Sequence, residues 1–266
     1  MPDTDDTPAE QEKLQLIQSR FGVVAADYVT SKVHASGQDL NWLVQAAALT
    51  GGERVLDVAT GGGHAAFALA PFAGEVVALD LTRQMLEVAR QEAIARQFTN
   101  ISYLEGNAQA IPCEDGSFDL VVCRQAAHHF PRWEQGVQEW ARVLKPGGKL
   151  LIVDSTSPEE PELDLFLHEI ETLRDPSHVR NHRISEWQSQ LIQAGFTLQE
   201  VQEQGIYLDI PSWTQRQRTP PESVAIIEQL LRSASPAAQA RLKIEEKDGV
   251  PGFTLPIILA CGVKTA

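Results

Sequence analysis

The chain has 266 residues, with 22 lysines and arginines against 36 aspartates and glutamates, a formal charge of −14. That balance argues against a nucleic-acid binder, because a phosphate backbone recruits basic surface. With 43% hydrophobic and 22% charged residues the chain can bury a full-sized core, which rules out disorder and collagen-like order.

The opening MPDTDDTPAEQEK is acidic and polar where an export signal is basic and then apolar, so it reads as a solvated tail on a cytoplasmic protein. Residues from about Gln11 to Leu49 predict two helices interrupted near Ser36 and Gly37. Five short β-rich runs follow, separated by helical segments: Arg54 to Val58, Val76 to Leu81, Asn100 to Leu104, Phe118 to Cys123 and Lys149 to Asp154. VLDV, VVALD, FDLVVC and KLLIVD are apolar on consecutive positions, as strands buried on both faces must be, and the alternation predicts a parallel α/β sheet. Trp133, Val137, Trp140 and Leu144 form one apolar helical stripe that Pro146 and Gly147 end, so both tryptophans read as core.

Regularity is lost from Ser155 to about Asn181, where Glu159, Glu160, Glu162 and Asp164 read as a solvated helix start. Ser185 and Gln188 predict a capping box for a helix ending at Gly195. Phe196 to Ile210 then reads as a strand, Pro211 to Lys247 as a helical insertion broken at Pro220 and Pro221, and Phe253 to Val263 as a last strand. No apolar run approaches the roughly 20 residues that span a membrane, the longest lying near Leu255 to Val263. Cys113, Cys123 and Cys261 have no disulfide or metal-ligand spacing and are expected as buried or half-buried thiols in a reducing compartment. No metal site is expected. The simplest organisation has an N-terminal tail and cap helices over 1–39, a cofactor-binding Rossmann-like core over 40–155, and the rest of the core with a substrate-cap insertion over 156–266.

The chemistry concentrates in VLDVATGGGHAAF, a buried strand ending near Asp57, a turn through Ala59, Thr60, Gly61, Gly62 and Gly63, and a helix start at His64. A strand feeding a glycine loop and a helix N-terminus brings backbone N–H groups close to a nucleotide-like ligand. The dinucleotide fingerprint GxGxxG is incomplete here, and Asp57 would face a pyrophosphate unfavourably but suits an ammonium group. Asp80 ends the second strand, where a carboxylate accepts hydrogen bonds from ribose hydroxyls of NAD or S-adenosylmethionine alike. Leu81 and Met85 are placed to flank an adenine ring.

VLDVATGGGHAAFALA, VVALDLTRQML, GNAQAIPCEDGSFDLVVCRQAAHHF and VLKPGGKLLIVD, in this order and spacing, resemble the successive motifs of class I S-adenosylmethionine-dependent methyltransferases. Within that class the chain is most similar to the small-molecule group related to ubiquinone and menaquinone biosynthesis, the type 11 methyltransferase domain. The resemblance implies a seven-stranded Rossmann-like sheet, its last strand antiparallel, under a helical cap. It implies that Asp57, Ala59, Thr60, Gly61 and Gly63 hold the methionine moiety, that Asp80 holds the ribose, and that Arg124 lies along the methionine end. The family's Gly-Asp-Ala, whose acid accepts from the adenine amino group, is GNAQ here, so Asn107 substitutes an amide oxygen beside the backbone N–H of Ala108. FDLVVCRQAAHHF-like segments floor the substrate pocket of the family, which makes His128 and His129 the base candidates.

A weaker likeness in FGVVAADYVTSKVHASGQDL and DPSHVRNHRISEWQSQLIQAGF implies a lid with Tyr28 and His34 and a substrate side with His178 and Arg180. The expected reaction is methyl transfer to a small, aromatic or quinone-like metabolite, with no nucleic acid and no membrane insertion. Two alternatives stay open: an NAD-dependent oxidoreductase, and a non-catalytic S-adenosylmethionine-binding protein.

Overall fold

A computed structural model describes residues 7–29 and 37–265, and of residues 24–29 the backbone alone. His34 and the side chain of Tyr28, both expected in a lid, therefore lie outside the described residues.

Two helices, α1 (Pro8–Val29) and α2 (Gln38–Ala47), precede an alternation of strand and helix. This runs β1 (Arg54–Val58), α3 (His64–Leu69), β2 (Glu75–Asp80), α4 (Arg83–Ala95), β3 (Ile101–Glu105), β4 (Phe118–Arg124), α5 (Trp133–Val143) and β5 (Leu144–Ser157). After β5 come α6 (Pro161–Arg174), the two-residue β6 (His182–Arg183), α7 (Ile184–Gln193) and the long β7 (Phe196–Asp209). Three cap helices, α8 (Ile210–Arg216), α9 (Pro221–Arg232) and α10 (Pro236–Arg241), lead through β8 (Glu245–Lys247) to β9 (Val250–Lys264).

The main sheet has the order β3-β2-β1-β4-β5-β9-β7, with β6 and β8 as short additions beside β5 and β9. β1 to β5 pair in parallel, and β9 enters antiparallel between β5 and β7. These are the seven strands expected, with the last one reversed. Alternate side chains of the buried strands divide between two layers. Leu56, Val58, Val121 and Cys123 pack with Trp133, Val137, Trp140 and Trp187 on one face, and Val55, Val76, Leu120 and Val122 pack with Leu40, Leu43 and Leu69 on the other. A separate cluster of Leu167, Ile170, Leu208, Trp213, Ile227 and Phe253 holds the cap together.

Two local expectations are corrected. Leu144 is buried as the stripe requires, but it is extended (φ −74°, ψ 139°) and opens β5, because the chain must straighten ahead of Pro146. The helix start read at Glu159 to Asp164 is that of α6, which begins on Pro161 and buries Leu163, Leu167 and Ile170. α7 is capped two residues before the expected position, at Arg183: the Arg183 N–H donates to Glu186 (2.8 Å), while the Ser185 N–H and hydroxyl are turned to Glu159 (3.0 and 2.6 Å). It ends as expected at Gly195, whose φ of +88° favours glycine. The three cysteines are free, Cys123 and Cys261 buried and Cys113 half-buried. No helix among the described residues is long and apolar enough to cross a membrane.

Candidate active site

A cavity opens at the carboxyl ends of β1, β2, β4 and β5, under α1 and the cap. The loop after β1 is shaped by left-handed residues, Ala59 and Gly61 at φ +53° and Gly63 at +86°. At Gly61 a Cβ would meet nothing within 4 Å, so the peptide edge faces open space; at Gly63 it would stand 2.5 Å from the Phe67 ring, so glycine there serves helix packing.

Asp57 accepts from the Thr60 hydroxyl (2.6 Å) and the Ala66 N–H (3.0 Å). Asp80 accepts from the Gly61 and Thr82 N–H groups (2.8 Å each). Burial pushes both carboxyls up to about 6 against these donors. Neither forms a salt bridge among the described residues. Two buried carboxyls lacking a cation, beside an exposed peptide edge, fit a ligand that carries a positive charge and hydroxyl donors.

Ala59, Thr60, Leu81, Met85, Asn107 and Ala108 also line this cavity. The Asn107 Oδ1 accepts from the Gln109 N–H (2.9 Å) and, more weakly, the Gln109 amide (3.3 Å), so an incoming amino group competes with Gln109 for it. Arg124 reaches the cavity too, but its Nε donates to Asp39 of α2 at 2.6 Å in a pair with both side chains buried. Its charge is therefore matched within the protein.

At the other end of the cavity, His128 Nδ1 stands 2.5 Å from Asp154 Oδ1, and the His128 N–H donates to the second Asp154 oxygen (3.3 Å). Burial pushes this imidazole down, but Asp154 outweighs it and leaves His128 above its ordinary value; His128 in turn outweighs burial at Asp154 and holds that carboxyl low. Asp154 thus fixes ring and tautomer, leaving Nε2 to act as a base. His129 also lines the cavity, with Nδ1 3.1 Å from the Ser177 carbonyl and Phe21 edge-on at 5.0 Å. A carbonyl only accepts, so Nδ1 carries the proton; burial and neighbouring His128 push His129 down to about 3.

Gly63, His178 and Arg180 do not line the cavity. His178 is buried behind His128, the rings 5.6 Å apart. Arg180 has a side chain 38% exposed and bonds Asp164 (3.3 Å) and Glu186 (3.0 Å), because α6 and α7 both offer it acids at the surface. Sequence reasoning missed Asp39, Asp154 and Glu171. Asp154 had a signal, since it closes KLLIVD as Asp80 closes VVALD; the other two had none. Gln125 was missed as well: it lines the cavity at φ +54°, and its buried amide nitrogen has no partner among the described residues. α1 forms one wall with Leu14, Ile17 and Phe21, clamped by Lys13 to the carbonyls of Pro176 and His178 (2.8 and 2.9 Å) and by Arg20 to that of Gln217 (3.0 Å).

Residues 56–152 match the methyltransferase domain family. The chain is 37% identical to the uncharacterized methyltransferase YcgJ of Bacillus subtilis over 249 residues, 93% of this chain and 98% of the relative. The crystal structure of YcgJ superposes with a TM-score of 0.83 at 36% identity, covering 87% of this chain and all of that one. A putative methyltransferase from Bacillus halodurans gives the same TM-score at 40% identity over 86% of this chain and 100% of its own. Demethylmenaquinone methyltransferase of Deinococcus radiodurans is 39% identical over 155 residues, 56% of this chain and 64% of its own length. These likenesses close the NAD-dependent alternative: the chain belongs to the methyltransferase family and is a methyltransferase enzyme.

Proposed function

We propose that this enzyme uses S-adenosylmethionine to methylate a small, aromatic or quinone-like metabolite, with His128 as the base. The observation that carries the proposal is one cavity holding, at one end, two buried carboxyls without a counter-ion beside the open Gly61 edge and, at the other, the His128–Asp154 pair. The acceptor class is supported by the partial likeness to demethylmenaquinone methyltransferase, and the acidic charge of the chain argues against a nucleic-acid acceptor.

When bound, S-adenosylmethionine supplies a methyl group on a sulfonium centre that departs as a neutral thioether. Asp57 and the Thr60–Gly61 edge hold the amino-acid end, and Asp80 accepts from the ribose hydroxyls. Asn107 and the Ala108 N–H face the adenine, flanked by Leu81 and Met85. Leu14, Ile17 and Phe21 keep water from the acceptor, which aligns it for in-line attack. As the acceptor oxygen attacks, His128 Nε2 takes its proton while Asp154 balances the imidazolium that forms.

Calorimetric titration with S-adenosylmethionine, S-adenosylhomocysteine and NAD tests this. Micromolar binding of the first two, weakened at least tenfold in Asp80→Ala, is expected; binding of neither overturns it. Binding of both without transfer to aromatic or quinone-like acceptors overturns the acceptor class.

A further inference from the structure

The transfer described above uses only part of the polar cluster under the cap. The unused part centres on Glu171, on the inward side of α6. The residue is 4% exposed, it lines the cavity, and its Oε1 has no hydrogen-bond partner among the described residues. Its Oε2 stands 3.9 Å from His178 Nδ1, beyond hydrogen-bond reach, and neither ring nitrogen of His178 has a partner among the described residues. Two carboxyl–imidazole pairs are therefore neighbours. His128–Asp154 is closed at 2.5 Å and His178–Glu171 is open, with the two rings 5.6 Å apart.

Buried polar groups are matched in nearly all proteins, because an unmatched one forfeits its bonds to water. α6 already buries Leu163, Leu167 and Ile170 on its inward side, and one more apolar residue at 171 would carry no such penalty. The charge of neighbouring Arg174 only partly offsets the burial that pushes the Glu171 carboxyl up, and the two form no direct bond. Arg174 lies over the Trp213 ring at 5.0 Å and donates through Nε to the Trp213 carbonyl (3.2 Å), with no ion pair to Glu171. A carboxyl left open on a cavity wall is matched by what enters the cavity. Ile206, Leu208, Trp213 and Leu255 give the same cavity apolar lining, which suits a ring.

Building on the assignment of His128 as base, we propose that Glu171, with His178 behind it as a positioning residue, binds a second hydroxyl of the acceptor. The acceptor is then a ring with at least two hydroxyl groups, one presented to His128 for methylation and one held by Glu171. A simple phenol satisfies only the first site and leaves the Glu171 carboxyl unmatched.

The test titrates the protein, saturated with S-adenosylhomocysteine, with phenol, catechol and resorcinol. One of the two dihydroxyarenes is expected to bind at least tenfold more tightly than phenol, the discrimination that one matched buried polar group gives. In Glu171→Leu the ratio falls to about one, in Glu171→Gln it returns to within about threefold of the parent, and in His178→Gln it falls while phenol affinity stays unchanged. The leucine variant replaces an unmatched polar group by an apolar one and is expected to keep its melting temperature, and the glutamine variant covers the case in which it does not. Equal binding of the three arenes, a ratio that survives in Glu171→Leu, or no binding of any of them overturns the proposal. Failure of S-adenosylhomocysteine to bind strikes the cofactor assignment instead, and the arene series on the free protein then decides the role of Glu171 by the same ratio.

Discussion

The two ends of the cavity are built in opposite ways. At the glycine-loop end each carboxyl is bonded by backbone and hydroxyl donors lying between residues 60 and 82, so the loop folds onto its own acids. At the histidine end the groups come from α1, the turn after β4, β5, α6, the loop after α6 and α8, tied across separations of 165 residues for Lys13 to His178 and 197 for Arg20 to Gln217. Polar atoms of Glu171, His178 and Gln125 have no partner there among the described residues. The loop end thus orients its acids locally and leaves their charge to be matched, whereas the histidine end depends on distant segments and leaves whole hydrogen bonds to be made.

The largest effect expected is at the histidine end. His128→Ala and Asp154→Ala should each slow methyl transfer by about 10²- to 10⁴-fold, with S-adenosylhomocysteine affinity unchanged; equal losses in binding and rate would erase the distinction between the ends. A core change should touch neither end selectively. Trp140, fully buried, is expected to cost about 3–5 kcal/mol as Trp140→Ala, read as a lower melting temperature with ligand affinity preserved in the folded fraction. At the loop end, Asp57→Asn should weaken S-adenosylmethionine binding by roughly ten- to a hundredfold through a lost charged hydrogen bond, leaving the His128 titration seen by NMR in place.

The pH dependence separates the ends further. The Asp57 and Asp80 carboxyls, pushed up to about 6, lose their protons as pH rises from 5 to 7, so affinity for the cationic ligand should climb over that range and then level. The transfer step needs neutral His128, which lies above its ordinary value of 6.5, so the rate at saturating ligand should keep rising after affinity has levelled. The smallest effect belongs to Arg180→Ala, expected to cost about 1 kcal/mol with no change in binding or rate, because its side chain is 38% exposed and lies outside the cavity.

The sheet was legible in the sequence because VLDV, VVALD, FDLVVC and KLLIVD are buried on both faces, which writes strands as unbroken apolar runs. The reversal of β9 came from family resemblance; a buried strand reads the same in either direction. Of α6 only the acidic start was legible, because Pro, Glu, Asp and His residues obscure the spacing of the buried Leu163, Leu167 and Ile170. The glycine loop and its two acids were visible as local chemistry, including the carboxyl at the end of each strand. Asp39 and Glu171 were not: one acts on Arg124 from 85 residues away, and the other looks like any acid on a helix until the fold turns it inward.

The reversal of β9 also decides where the molecule can be handled. Its carboxyl end pairs with Lys149 and Phe196, where the parallel strands begin, so Lys264 emerges on the side of the sheet opposite the cavity. α1, by contrast, is itself a wall of the cavity. A purification tag or surface tether placed ahead of Pro8 hangs from that wall, whereas one placed after Thr265 leaves the entrance clear. Immobilised binding measurements should therefore use the latter attachment.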